Sequence, residues 1–281
     1  MTNILKAIVV FSLLCFLAPS ARAEESVFDR VMRTRAINCG YAVWAPYLLK
    51  DANTGKMSGI NYDIMEAIGK NLGIKVNWNM EVGIGEVGVA LDSHKFDVMC
   101  LTIWPSPGRY TGMTFTTRPE FYSAVYAVAR ADDTRFDKDL NAANNKDIKA
   151  TGIEGDFGMD LAKEKLPDAT PAFMPAITSA AELMMQLTTK KADITFADKG
   201  GVNDFNKTKP PAQQLRILEN LGPARVYGEH LAVKRGEFQL RDVLDVAMLQ
   251  LVNDGLLESI VQRYAAEYKA DIYPSKKDIQ K

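Results

Sequence analysis

Two stretches of this chain alternate short apolar strands with helix-period segments, and that repeated alternation limits the fold more than any other feature. In the first stretch, Ala36–Tyr41 reads as a strand. Asn61–Leu72 reads as a helix, because Ile60, Ile64, Ile68 and Leu72 recur every four residues and Gly73 stops it. Lys75–Met80 alternates Val76, Trp78 and Met80 like a half-buried strand, Glu86–Ser93 gives a weak helix, and Phe96–Leu101 is a continuous apolar strand of the kind covered on both faces. A second series starts near residue 147. Asp147–Ile153 reads as a strand, Met159–Leu166 as a helix ended by Pro167, Thr170–Met174 as a strand and Ser179–Thr188 as a helix. Ala192–Phe196 follows as a strand, Lys199–Asn206 as a short helix and Leu215–Leu218 as a strand. The long Leu240–Asp254 helix and a last helix to about Tyr268 close the chain, and the polar tail 270–281 is expected to fray.

Such a series predicts an α/β architecture with mostly parallel sheets, occurring twice. The extended segment Phe121–Ala129 separates the two series and Arg225–Val233 follows the second. Two crossings imply two Rossmann-like lobes joined by a two-stranded hinge. Their expected bounds are 24–122 with 227–269 for one lobe and 123–226 for the other. A ligand is then expected between the lobes, at the carboxyl ends of the strands, where open α/β sheets bind.

Composition removes several classes. With 281 residues, 47% hydrophobic and 25% charged, the chain is globular and long enough for two cores. A formal net charge of −1 lacks the basic excess that a phosphate backbone requires, so no nucleic-acid partner is expected. Two histidines and three cysteines, none at metal-ligand spacing, argue against a zinc site, and no cofactor is expected.

Residues 1–23 read as a signal peptide. Lys6 supplies the basic start, Ala7–Ala18 an apolar run too short to span a bilayer, and Ala21-Arg22-Ala23 the small-residue cleavage pattern. Export followed by cleavage after Ala23 leaves a net charge of −3 and, in a bacterium, places the protein in the periplasm. Cys39 and Cys100 then remain in an oxidising compartment. They fit either a disulfide between neighbouring strands or two free thiols packed as small core residues.

The order and spacing of several short motifs carry a resemblance. They are Trp44-Ala45-Pro46-Tyr47, Gly59-Ile60-Asn61-Tyr62-Asp63-Ile64, Lys95-Phe96-Asp97-Val98, and Pro107-Gly108-Arg109 followed after five residues by Phe115 and its neighbours. Ala181-Glu182-Leu183, Phe196-Ala197-Asp198, Tyr227-Gly228 and Asn253-Asp254-Gly255-Leu256 continue it. Over residues 35–268 the chain resembles the bacterial extracellular solute-binding proteins of the polar amino-acid uptake type, with the type II periplasmic binding fold. The resemblance implies a periplasmic receptor that captures a small zwitterionic or cationic solute by lobe closure. Its partners would be that small-molecule ligand and an inner-membrane ABC permease, and the chain would act as a monomer without catalysis. It also implies site residues. Arg109 would grip a ligand carboxylate with its planar fork, and Asp198 would hold an ammonium, although it also suits a helix N-cap. Trp44 and Tyr47 would form an aromatic shelf, and Thr102 would bond the ligand from the preceding strand.

Two positions depart from the family's pattern. Trp104 stands where a small residue is usual, so it stacks on the ligand, shrinks the site or packs on Pro105 and Pro107. Asp156, in Gly155-Asp156-Phe157, replaces a hydroxyl donor with an acid that repels an anion. It either caps the helix or faces a ligand with extra positive charge. Some relatives resemble cyclohexadienyl dehydratases, for which Glu154 or Asp156 would be the acid, and a soluble ligand sensor is a further alternative.

Overall fold

The computed structural model describes residues 25–280, so the expected signal peptide lies outside the described residues. The chain opens with helix α1 (Val27–Thr34), not anticipated from sequence, whose Ser26 N-cap accepts from the Asp29 backbone. Then come β1 (Ala36–Tyr41), the small hairpin β2 (Leu49–Lys50) and β3 (Met57–Ser58), α2 (Ile60–Leu72) and β4 (Lys75–Glu81). Next are α3 (Val87–Asp92), β5 (Val98–Ile103), the short α4 (Pro107–Tyr110) and β6 (Met113–Phe115). The long strand β7 (Phe121–Arg130) leads into β8 (Lys149–Ala150), α5 (Phe157–Lys165), β9 (Thr170–Pro171), α6 (Ala180–Thr188), β10 (Ile194–Asp198) and α7 (Lys199–Lys207). The chain ends with β11 (Leu215–Ile217), the long β12 (Arg225–Lys234), α8 (Phe238–Asn253), α9 (Leu256–Tyr268) and β13 (Ile272–Tyr273).

The strands form one continuous path in the order β4-β1-β5-β12-β7-β10-β8-β9. The pairs β4-β1, β1-β5, β10-β8 and β8-β9 are parallel, and the joins through β12 and β7 are antiparallel. β12 serves both halves. Its His230–Lys234 end pairs with β5 and β6, while Arg225–Glu229 pairs with Val125–Phe121 of β7. This is the expected α/β fold of two lobes joined by a two-stranded hinge. α2 covers the first sheet by burying Ile60, Ile64, Met65 and Ile68, each fully buried apolar side chain contributing about 1.5–3 kcal/mol.

Some boundaries moved for identifiable reasons. β5 starts at Val98 instead of Phe96. Phe96 packs its ring against Gly40, and the Asp97 carboxylate accepts from the Asn38 backbone at 2.8 Å and from the Arg30 guanidinium, so both side chains serve the turn before the strand. The tail does not fray at its start: β13 pairs with Ser123 and Tyr122 of β7, and Ile272 is buried. Cys39 and Cys100 form a disulfide between the adjacent parallel strands β1 and β5, with their Cα atoms 5.4 Å apart. It closes a loop of 61 residues in separation, which by chain entropy contributes about 4 kcal/mol.

Candidate functional site

The two lobes meet along a seam at the ends of β5 and β10, and the seam is shut. Gly85 lies against the carbonyl of Glu154 and the Cβ of Ala176, and a Cβ at Gly85 would stand 2.6 Å from each. Gly155, at φ +79°, brings its own backbone onto Gly85 from the other side. Only glycines allow backbones this close.

Beyond β5 the chain carries Trp104 into the seam. Ser106 caps α4 by accepting from the Arg109 backbone, which points the Arg109 side chain back over the strand end. The guanidinium carbon sits 3.6 Å from the centre of the Trp104 ring, close enough for a cation–π contact. Arg109 also donates to the Trp104 carbonyl at 3.3 Å and, across the seam, to the Gly155 carbonyl. Phe157 and Tyr227 meet Trp104 with ring centres 4.9 and 5.2 Å away. Trp44 completes the aromatic group, edge-on to Phe157 at 6.4 Å. Tyr47 lies behind it, stacked on Phe121 at 5.7 Å.

Asp198 does two jobs at once. As N-cap of α7 its Oδ1 accepts from the Gly201 backbone at 2.7 Å, and its Oδ2 accepts from Trp44 Nε1 at 2.8 Å, a second bond across the seam. Burial raises its carboxyl above the ordinary value, against the hydrogen bonds from Gly201 and Trp44. Thr102 is buried and bonded to Asn61, with Asn61 Nδ2 donating to its Oγ1 at 3.1 Å and to Glu120 at 3.3 Å.

These residues enclose a cavity of about 30 Å³, walled by Trp44, Tyr47, Thr102, Trp104, Phe157 and Ile84. Asp156 and Glu229 also face it, one from each side of the seam. Such a volume holds about two waters. A wider groove of about 490 Å³ lies outside, sharing Trp44 and Ile84 with the cavity and lined further by Val43, Met80, Val82 and Ile177.

The acids in this region are held away from their ordinary behaviour. Asp156 stands at the N-cap position of α5 without making a side-chain capping bond, and its Oδ2 is buried with no partner. Burial pushes its carboxyl up to about 6, against the pull of the Arg109 charge. Glu229 accepts from Ser123 Oγ at 2.5 Å. Burial pushes it up to about 8; the Ser123 bond and Arg109 oppose that, and the charges of Asp198 and Asp156 add to it. Among the described residues no three His, Cys, Asp or Glu are grouped to hold a metal ion.

Of the residues singled out from sequence, Trp44, Tyr47, Thr102, Trp104 and Asp156 stand on the cavity wall. Arg109 and Asp198 bridge the lobes beside it. Sequence reasoning missed Glu229 and gave Phe157 and Tyr227 no role. The available signal for Glu229 was a lone acid inside the extended segment Arg225–Val233, in the strand that joins the lobes.

Residues 37–267 match the sequence profile of the family described as bacterial extracellular solute-binding proteins, family 3. The chain is 26% identical over 235 residues to a probable amino-acid ABC transporter-binding protein of Haemophilus influenzae (strain ATCC 51907 / DSM 11121 / KW20 / Rd), covering 83% of this chain and 86% of that one. It is 21% identical over 224 residues to the L-cystine-binding protein TcyA of Bacillus subtilis (strain 168), covering 80% and 78%. In three dimensions it is similar to a crystal structure of an ancestral amino acid-binding protein described as a precursor of cyclohexadienyl dehydratase. There the TM-score is 0.73, with 21% identity, over 85% of this chain and 99% of that one.

Proposed function

The chain belongs to the bacterial extracellular solute-binding proteins, family 3, and from that premise we propose that it is the substrate-binding protein of an ABC importer, capturing a small zwitterionic or cationic solute by lobe closure. On this reading the protein is exported, loses residues 1–23, works in the periplasm as a monomer and delivers its ligand to an inner-membrane permease. The lobes are taken as 24–122 with 227–269, and 123–226. The Haemophilus influenzae relative's description as an amino-acid ABC transporter-binding protein supports the transport role.

The observation that carries the reading is the aromatic cavity on the seam, with charged groups from both lobes around it. Trp44, Tyr47 and Trp104 supply its apolar walls, Thr102 a hydroxyl and Asp156 a buried carboxyl. Arg109 and Asp198 tie ligand capture to closure, since each already bonds across the seam. Elimination chemistry is the second reading, favoured by the Asp156 carboxyl, which burial pushes up to about 6 and so nearer to neutral pH than an ordinary aspartate. Glu154, the other acid considered for it, is exposed.

A thermal-shift screen of amino acids, polyamines and betaines, with native mass spectrometry of the purified protein, tests the receptor reading. A ligand at 100 times its Kd adds about 2.7 kcal/mol, and Arg109→Ala is expected to abolish that stabilisation. Absence of any stabilising compound and of any bound small molecule would refute the reading. Turnover of prephenate or arogenate would replace it with the enzymatic one.

A further inference from the structure

We infer that the Trp104 ring is a built-in occupant of the solute's seat: it fills the space between the shut lobes, and a solute is captured only by displacing it. This rests on the receptor reading above and adds a control on that same site.

Three parts of the chain converge on this one ring. Trp104 directly follows β5 and is 5% exposed. Arg109, from the same lobe, lies over its face at 3.6 Å. Phe157, at the start of α5 in the opposite lobe, meets it at 4.9 Å, and Tyr227, in the shared strand β12, at 5.2 Å. The contact with Phe157 spans the seam, so opening the lobes breaks it. What remains beside the ring is the cavity of about 30 Å³, room for about two waters. Sites for small solutes run to about 300–1,000 Å³. Capture requires shut lobes, and the shut lobes with the ring in place have no room for an amino acid, a polyamine or a betaine. A receptor for any of these must move the indole.

The ring is held by partners that a solute can replace. Arg109 donates to the carbonyls of Trp104 and Gly155 and rests on the indole face, while Asp156 and Glu229 act on its charge at longer range. A charge-assisted hydrogen bond is at least as strong as a cation–π contact, so a solute that offers Arg109 an acceptor offsets the loss of the ring. Phe157 and Tyr227 stay covered by whatever takes the seat. Pro105 holds the Trp104 backbone extended, so the indole leaves by rotation of its side chain while β5 stays in place. Ligand-free molecules then divide between open lobes and this shut, self-filled form. Only the fraction that is not self-filled binds a solute, and apparent affinity falls in proportion.

Isothermal titration calorimetry of the mature chain with L-alanine, L-glutamine and L-arginine, and with any compound that stabilises it in the wider screen, tests this. Trp104→Ala is expected to bind at least fivefold tighter than wild type, and Trp104→Phe, which leaves a smaller ring to displace, to gain less. Ligand-free Trp104→Ala is expected to show a larger radius of gyration than ligand-free wild type, because the shut form has lost its filler. Should the alanine variant fold poorly, fluorine NMR of wild type labelled with fluorotryptophan reads the ring directly. The Trp104 signal, assigned by its loss in Trp104→Phe, is expected to become solvent-exposed when the same compound binds, seen as a larger shift between light and heavy water. Equal or weaker binding by both variants, or a Trp104 signal that stays buried with the compound bound, would overturn the inference and leave the receptor reading intact. If no compound binds wild type or either variant, both fall.

Discussion

Glu229 shows how burial sets chemistry at a single position. Its carboxyl is pushed up to about 8, and each unit of displacement is worth about 1.4 kcal/mol. A raised acid stabilises the fold most below its unfolded value near 4.5, and that contribution disappears as pH rises through about 8. Asp156, raised to about 6, acts in the same direction over a lower window. Asp133 and Asp193 are held below their ordinary values, Asp133 chiefly by the Arg135 hydrogen bond and Asp193 by Arg135 and Lys149 against burial. Their contribution is complete above about pH 4 and stays flat in the neutral range. His230 is lowered by burial, so it favours folding as pH rises through about 6.5 and is spent above that. The melting temperature of the ligand-free protein is therefore expected to fall between pH 7 and pH 9, and Glu229→Gln to flatten the curve. A flat wild-type curve in differential scanning calorimetry would contradict the assignment. At this scale the family resemblance pointed to Trp44 and Asp156, which stand on the cavity wall. It was silent on Glu229, whose significance depends on Ser123, Asp198 and Asp156 arriving from distant segments.

At the scale of elements, the seam depends on a short turn. Gly83-Ile84-Gly85 runs into the single 3-10 turn Ile84–Glu86 before α3, and Gly85 touches the backbone of the opposite lobe. Gly85→Ala is expected to wedge the lobes apart and weaken ligand binding about tenfold, a loss of about 1.4 kcal/mol. Fold stability is expected to stay within about 0.5 kcal/mol, as for other exposed positions, which chemical denaturation checks. Unaltered affinity would show that the turn does not limit closure. Helices with a clear period were legible in advance: α2 and α6 formed where Ile and Leu spacing placed them. The start of β5 was not, because apolar Phe96 is used in a turn whose purpose is to seat Asp97 on β1. Nor was β13, which gains its stability from β7, well over a hundred residues earlier.

At the scale of the whole molecule, two lobes share β12 and β7 and close on one aromatic space. The two-lobe architecture could be read from the doubled strand–helix series, since local patterns encode each lobe. The shut seam could not, because its bonds join Trp44 to Asp198 and Arg109 to Gly155, pairs that no local periodicity relates. Closure on a ligand is the central claim, and lobe motion of this kind changes molecular dimensions. Small-angle X-ray scattering of the mature protein, with and without a saturating compound identified in the thermal-shift screen, measures it most directly. The shut arrangement is the one the ligand would favour, so the account predicts an open population without ligand, a smaller radius of gyration on ligand addition in wild type, and little change in Gly85→Ala. An unchanged radius in wild type, with ligand binding verified by calorimetry on the same sample, would contradict it.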